Sequence, residues 1–269
     1  MNLKKAIQER RSRRSYLDAP VAPLSIEKLE IAAWECNRSG KLNIQIITND
    51  KEAFGNLKKT YGLFSGVTNY IALVGKKEDP NLCEKLGYYG ESLVLLATTL
   101  GLGTCWVGAT FDKEVCRCKV AEDEELQCVI AFGNVKLKDS LKEKAITKAI
   151  HRKSKEIKDM LKAIEQVPNW VVDGMRCVVK APSARNRMPV MFYYSGGVVA
   201  ARIKGESLYE FFDLGIAKLH FELGVGKGTW EFGNGGMFEY EHSNFKRESA
   251  EGEHTNRNSG TEGTGDREA

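Results

Sequence analysis

The 269-residue sequence has no apolar run long enough to span a bilayer, and its amino terminus, MNLKKAIQERRSRRSY, lacks the apolar core of a signal peptide. A soluble, cytoplasmic protein without a membrane partner is expected. Histidine is scarce, with four residues, and no Ser-His-Asp arrangement stands out, so hydrolytic triad chemistry is not expected. Repeated C-x-x-C spacing is also missing. The seven cysteines, Cys36, Cys83, Cys105, Cys116, Cys118, Cys128 and Cys177, lie in or beside apolar segments and read as reduced, mostly core thiols. Cys116-Arg117-Cys118 could bind metal, but with neither a second pair nor a nearby histidine it makes a poor zinc site. The net charge of +4 is too small to demand a nucleic-acid or acidic-membrane partner.

What is present is an ordinary globular composition, 42% hydrophobic and 9% aromatic, which supports a buried core. Apolar spacing predicts a first helix from Asn2 that runs into Arg10-Arg11-Ser12-Arg13-Arg14. A second helix is expected to start near Ser25, bury Leu29, Ala32, Ala33 and Cys36, and stop at Ser39-Gly40. LNIQIIT (42–48) and TNYIALVG (68–75) read as strands. A long helix with a wide apolar face follows from Asn81 to Leu100, ended by Gly101; then come an extended CWVGATF and a strand, LQCVIAFGNV.

The second half repeats this order. LGLGTCW (100–106) echoes LGVGKGTW (223–230), and YYGESLVLLATTLGLG echoes FFDLGIAKLHFELGVG. MFYY and GGVVAARI then stand where the first half has LNIQIIT and its successor. The reading is two copies of one unit, 1–150 and a shorter 151–240, followed by a disordered polar tail, 241–269, too poor in apolar residues to offset its ordering entropy.

Each copy holds something the other lacks. RRSRR has no full counterpart in the second half, where HRKSK (151–155) is the nearest match, and the second half alone has Ala181-Pro-Ser-Ala-Arg-Asn-Arg-Met-Pro189. Copies packed about a pseudo-twofold axis would let such parts meet in one composite pocket. Arg10, Arg11 and Arg14 with the Ser12 hydroxyl suit a dianionic phosphate. Ser183 and Asn186, on a loop stiffened by Pro182 and Pro189, offer a hydroxyl and a carboxamide to a heterocycle edge. Trp106-Val107-Gly108-Ala109 bares backbone where a flat ring could approach. Taken singly, RRSRR also reads as a solvated basic face or nucleic-acid patch, APSARN as a helix-ending turn, and GLGTCW as a helix cap.

Together, IQERRSRRSY, GESLVLLATTLGLGTCWVGATF and APSARNRMP resemble the FMN-dependent nitroreductase family, in particular its tandem-repeat branch, over about residues 1–238. The resemblance implies an α+β nitroreductase-like fold with two tandem half-units packed as an intramolecular pseudo-dimer, since family homodimers bind FMN at the subunit interface. It places Arg10, Arg11, Ser12 and Arg14 at the phosphate. It places Pro182, Ser183, Ala184 and Asn186 on the loop reaching the flavin from the opposite unit, and Trp106, Val107 and Gly108 along the ring near N5. HRKSKEI is similar to a closing Arg-Lys motif that approaches the phosphate, which adds Arg152 and Lys153. Where the family loop carries Gln and Trp, this chain has Met188 and Val190, so the usual Gln contact is not expected.

The implied function is electron transfer from NAD(P)H through FMN to a nitroaromatic, quinone or similar acceptor in a ping-pong cycle, with no side chain as general base. One flavin per chain is expected, with the chain a monomeric pseudo-dimer or a dimer of such units. The rival readings are a flavin-binding protein without NAD(P)H turnover and a basic nucleic-acid binder using RRSRR and Lys136 to Lys162.

Overall fold

A computed structural model describes residues 3–138, 143–145, 148 and 155–241. The polar tail expected from residue 241 falls outside the described residues from 242 on.

Apolar periodicity locates the two elements around which the rest is arranged. Helices α1 (Leu3–Glu9), α2 (Pro23–Gly40) and α3 (Leu57–Thr60) precede the long α4 (Leu82–Thr99). Helices α5 (Ile157–Met160) and α6 (Asn169–Val178) precede its counterpart α7 (Leu208–Val225). Both long helices have 18 residues and pack against each other. Small residues set the closeness of that packing: a side chain at Gly87 of α4 would collide with the Phe212 carbonyl, and one at Gly215 of α7 with the Glu84 carbonyl. The two contacts are reciprocal, each helix giving a glycine to the backbone of the other.

Each long helix covers a sheet. The first sheet contains β1 (Gln45–Ile47), β2 (Asn69–Lys76), β3 (Gly103–Val107) and β4 (Glu124–Gly133) in the order β1-β2-β4-β3, all antiparallel. The second contains β5 (Leu161–Ala163), β6 (Met191–Ser195), β7 (Val198–Arg202), β8 (Thr229–Trp230) and β9 (Met237–Glu239) in the order β5-β6-β7-β9-β8. Apart from β5, which lies parallel to β6, its pairs are antiparallel. Strand order β6-β7-β9-β8 thus reproduces β1-β2-β4-β3, with a long helix after the second strand in each case.

The first sheet is covered on both faces, and the middles of β2 (Tyr70–Val74) and β4 (Cys128–Phe132) are continuously apolar as that requires. Ile71 and Leu73 of β2 enter the core under α2 and α4, whereas Tyr70, Ala72 and Val74 enter a second core with Phe54, Phe64 and Phe111. On β4 the alternation slips between Leu126 and Cys128, which oppose Val74 and Leu73; Gln127 is the extra residue of a β-bulge. Under the second sheet, Phe192, Val199, Ala201 and Phe238 meet Val171, Met175, Leu214 and Phe221 from α6 and α7.

Two sequence expectations shift. Helix α2 begins at Pro23, because proline is pre-set for the first helical position. It ends at Gly40 as expected, with Gly40 pressed against the Tyr89 ring and the left-handed φ of 55° taken by Lys41. Strand β1 is three residues rather than seven. The Asn37 carboxamide accepts from Ile44 N (2.6 Å) and donates to Ile44 O (2.9 Å), so both backbone groups of Ile44 are spent on α2.

All seven cysteines are free thiols, and no helix among the described residues is long and apolar enough to cross a membrane. Among the described residues no group of His, Cys, Asp and Glu could hold a metal.

Candidate functional site

The arginine cluster leaves α1 as an extended segment along the free edge of β3. Ser12 bridges to Thr104, and Arg13 N donates to Thr104 O at 2.8 Å. An extended chain sends alternate side chains to opposite sides. Arg10, Ser12 and Arg14 accordingly fall on one side; burial pushes the nearby Cys105 thiol up, while the charge of Arg14, a hydrogen bond with Ser12 and the charge of Arg10 pull it back. Arg11 and Arg13 turn the other way. Arg11 is exposed and donates to Leu137 O (2.8 Å); Arg13 is buried and donates to Glu143 (3.1 Å), which also accepts from Arg14 N and Ser15 N.

Trp106 is fixed from α4, its indole N–H donating to Glu91 Oε2 at 2.8 Å. Its ring stands edge-on to Phe212 with centroids 6.0 Å apart. Val107 is buried in the sheet, and just past it the Tyr209 ring lies directly on Gly108, where any side chain would collide with it. Phe212 and Tyr209 both belong to the first turns of α7, in the second half of the chain.

The same turns of α7 hold the proline-flanked loop. Asp213 is buried and accepts from Ala184 N with both oxygens, at 2.9 and 3.2 Å. Burial raises its carboxyl to about 7, against the pull of the Ala184 N–H and with a small push from Glu210. Within the loop, Ser183 Oγ accepts from Met188 N (2.9 Å) and Asn186 N donates to Ser183 O (2.9 Å). Arg185, Asn186 and Met188 all take left-handed φ, at 52°, 52° and 47°. Three such non-glycine residues in four store strain that the Asp213 and Lys155 contacts hold in place, the latter through Lys155 Nζ to Met188 O at 2.8 Å. Pro182 and Ser183 line a small cleft with Asp213 and Ala217.

Of the residues read from sequence, then, Trp106 and Gly108 meet α7 at Phe212 and Tyr209, and Ala184 meets it one residue further on at Asp213. Arg10 joins them from the other side, with Nε 3.8 Å from Glu91 Oε1. Arg11 points away from this set, and Arg152 and Lys153 lie outside the described residues.

Sequence reading missed Glu91, Tyr209, Asp213 and His220. Glu91 and His220 are wholly buried and paired, Nε2 to Oε1, at 3.0 Å. A visible signal existed: charged and imidazole side chains inside helices otherwise apolar all round, at ESLVLLATT and FFDLGIAKLHFELG, need partners across the helix contact.

Two sheets built on one strand order, each under a long helix, with arginines along an open strand edge, make an α+β fold. The chain belongs to the nitroreductase family described as "Putative TM nitroreductase", whose model matches residues 2–225. A crystal structure described as a "putative nitroreductase" from Thermotoga maritima MSB8 shares the fold, with a TM-score of 0.57 and 22% identity over 88% of this chain and 92% of that one. A nitroreductase family protein from Clostridium difficile 630 is 19% identical over 55% of this chain and 92% of its own, with a TM-score of 0.42. A nitroreductase with bound FMN from Bacteroides fragilis NCTC 9343 is 17% identical over 52% and 94%, with a TM-score of 0.40. Among proteins of curated function none matches.

Proposed function

We propose that the protein is an FMN-dependent oxidoreductase that takes electrons from NAD(P)H and passes them to a nitroaromatic, quinone or similar small acceptor. The two repeats, 1–150 and 151–240, would together form one flavin site per chain.

The observation that carries this reading is Arg10: its Nε is buried without a hydrogen-bond partner among the described residues, and the alternation of an extended chain groups it with Ser12 and Arg14. A buried cationic donor left short of an acceptor is a place for an anion, and a flavin phosphate supplies the acceptors. Each charge-assisted bond from Arg10 or Arg14 would contribute about 1.5–3 kcal/mol. Arg152 and Lys153 remain proposed phosphate ligands on the resemblance alone.

When bound, the flavin supplies the hydride and electron chemistry. The chain's own residues bind and orient. Arg10, Ser12 and Arg14 take the phosphate; Ser183 and Asn186 offer polar groups toward the ring from a loop that Asp213 anchors. Trp106, Val107 and Gly108 give the ring a wall whose indole is locked to Glu91.

One observation favours a second reading, a flavoprotein without turnover: the Tyr209 ring lies on Gly108 and would obstruct that stretch of the wall. A single experiment tests both. The absorbance of the purified protein is recorded after incubation with FMN, then after anaerobic NADH or NADPH. A yellow protein that bleaches supports the oxidoreductase, a yellow one that stays yellow with both donors supports the silent flavoprotein, and one that takes up no FMN removes both.

A further inference from the structure

Glu91 stands where three elements meet, and each of its contacts comes from a different one. Trp106 of β3 donates to Oε2 at 2.8 Å, His220 of α7 meets Oε1 at 3.0 Å, and Arg10, just past α1, approaches Oε1 to 3.8 Å. Glu91 and His220 are fully buried, and the Arg10 side chain is 12% exposed. The other ring nitrogen of His220, Nδ1, faces Cys177 O at 3.1 Å.

The chemistry of those contacts fixes the protons. A carbonyl oxygen can only accept, so Nδ1 carries hydrogen. Nε2 faces a carboxyl oxygen, so a proton lies on that line too, on one atom or the other. Oε2 already accepts from an indole, and a guanidinium stands beside Oε1; both favour a carboxylate, which leaves the proton on Nε2. The cluster then holds two cations, Arg10 and His220, against one anion. Its one uncompensated positive charge is Arg10, the residue whose Nε has no hydrogen-bond partner among the described residues.

We infer that Glu91 and His220 act as a positioning pair: an imidazolium donated by the second half of the chain pins Glu91, and Glu91 in turn holds both Arg10 and the Trp106 indole for the bound ligand. Its consequence for ligand affinity rests on the FMN reading above; the protonation of the pair does not. His220 lies 129 residues from Glu91, so the half that carries the proline-flanked loop also sets the cation that meets the phosphate. The ligand class served is a phosphorylated one, because the excess charge sits on Arg10 while the Trp106 ring is held separately.

The test has two arms. In protein labelled with ¹⁵N-histidine, with His220 assigned by its loss in His220→Gln, both ring nitrogens are expected to carry hydrogen. In Glu91→Gln, which keeps the shape but offers Nε2 a donor, Nε2 is expected to lose its proton. An Nε2 without hydrogen in the parent protein overturns the inference and needs no variant to fold. In the second arm, FMN and riboflavin dissociation constants are measured by flavin fluorescence. Glu91→Gln is expected to weaken FMN at least tenfold and riboflavin far less, because only FMN bears the phosphate that Arg10 meets. An unchanged FMN-to-riboflavin ratio in folded Glu91→Gln overturns the positioning role. Should the parent bind no flavin while the imidazole signals are as expected, the FMN reading fails and with it the ligand assignment, but the proton placement stands.

Discussion

Gly87 and Gly215 each face the backbone of the opposite long helix, Gly87 against Phe212 and Gly215 against Glu84. Both partners are carbonyls of helical turns, which cannot move aside as a flexible side chain would. Alanine at either position should force α4 and α7 apart and cost about 1–3 kcal/mol or more. The double variant should cost less than the sum, since one separation relieves both collisions. Thermal or denaturant unfolding of the two single variants and the double checks this; additive losses would show that the contacts are independent.

Lys218 of α7 and Glu84 of α4 form a second tie between the same helices. The ammonium is fully buried, donates to Glu84 at 2.5 Å and also to Glu231 O and Gly233 O, while the other Glu84 oxygen accepts from Gly233 N. Lys218→Met should destabilise by about 3–5 kcal/mol, because it strands a buried carboxylate. Adding Glu84→Gln should recover part of the loss. A double-mutant cycle in urea measures the coupling, and no recovery would mean that the carbonyl contacts of Lys218 dominate.

Asp213 makes stability depend on pH in a direction opposite to a salt-bridged carboxylate. Its folded value of about 7 lies above its ordinary 3.8, so the folded state binds the proton more tightly than the unfolded one. Stability from this group is full below about pH 4 and falls as pH rises to about 7, by up to about 4 kcal/mol. Asp213→Asn keeps an acceptor for Ala184 N–H and removes the charge. The variant is expected to match the parent near pH 4 and to melt at a higher temperature at pH 8. Parallel melting curves at both pH values would count against a buried, reluctant carboxylate.

The alternation along residues 10–14 separates arginines that look equivalent in sequence. Arg10→Ala and Arg14→Ala are each expected to weaken FMN binding by about tenfold to a hundredfold, the loss of one charge-assisted hydrogen bond. Arg11→Ala, on the other side of the segment, should change it by less than about threefold. Arg13→Ala should instead lower stability, since it removes a buried cation that donates to Glu143. Titration of FMN into each variant separates the effects, and its endpoint is expected at one flavin per chain.

Much of this was legible in the sequence where local pattern and tertiary environment agree. The apolar faces of α4 and α7, the strands β2 and β4, and the repeated order of elements follow from residue spacing alone. Local pattern failed where a distant or polar partner overrode it. LNIQIIT alternates like a seven-residue strand, yet the Asn37 carboxamide claims Ile44 and shortens it. RRSRR reads as one cluster, but Glu143 takes Arg13 from 130 residues away, and the extended backbone splits the rest between two sides. Of the candidate site, the Trp106 segment and the proline-flanked loop were visible, whereas the residues that hold them, Glu91 and Asp213, work through contacts to positions 15 and 29 residues away in the chain that no short window contains.

Because α4 and α7 are joined by one polypeptide, their contact cannot be lost on dilution. Each helix sees the other at a fixed effective concentration set by the intervening chain, so the midpoint for parting them should be the same at nanomolar and at micromolar protein. Covalent linkage also frees the two faces from having to be identical: one can carry Glu84 and Glu91 while the other carries Lys218 and His220, an asymmetry that a pair of like subunits could not encode.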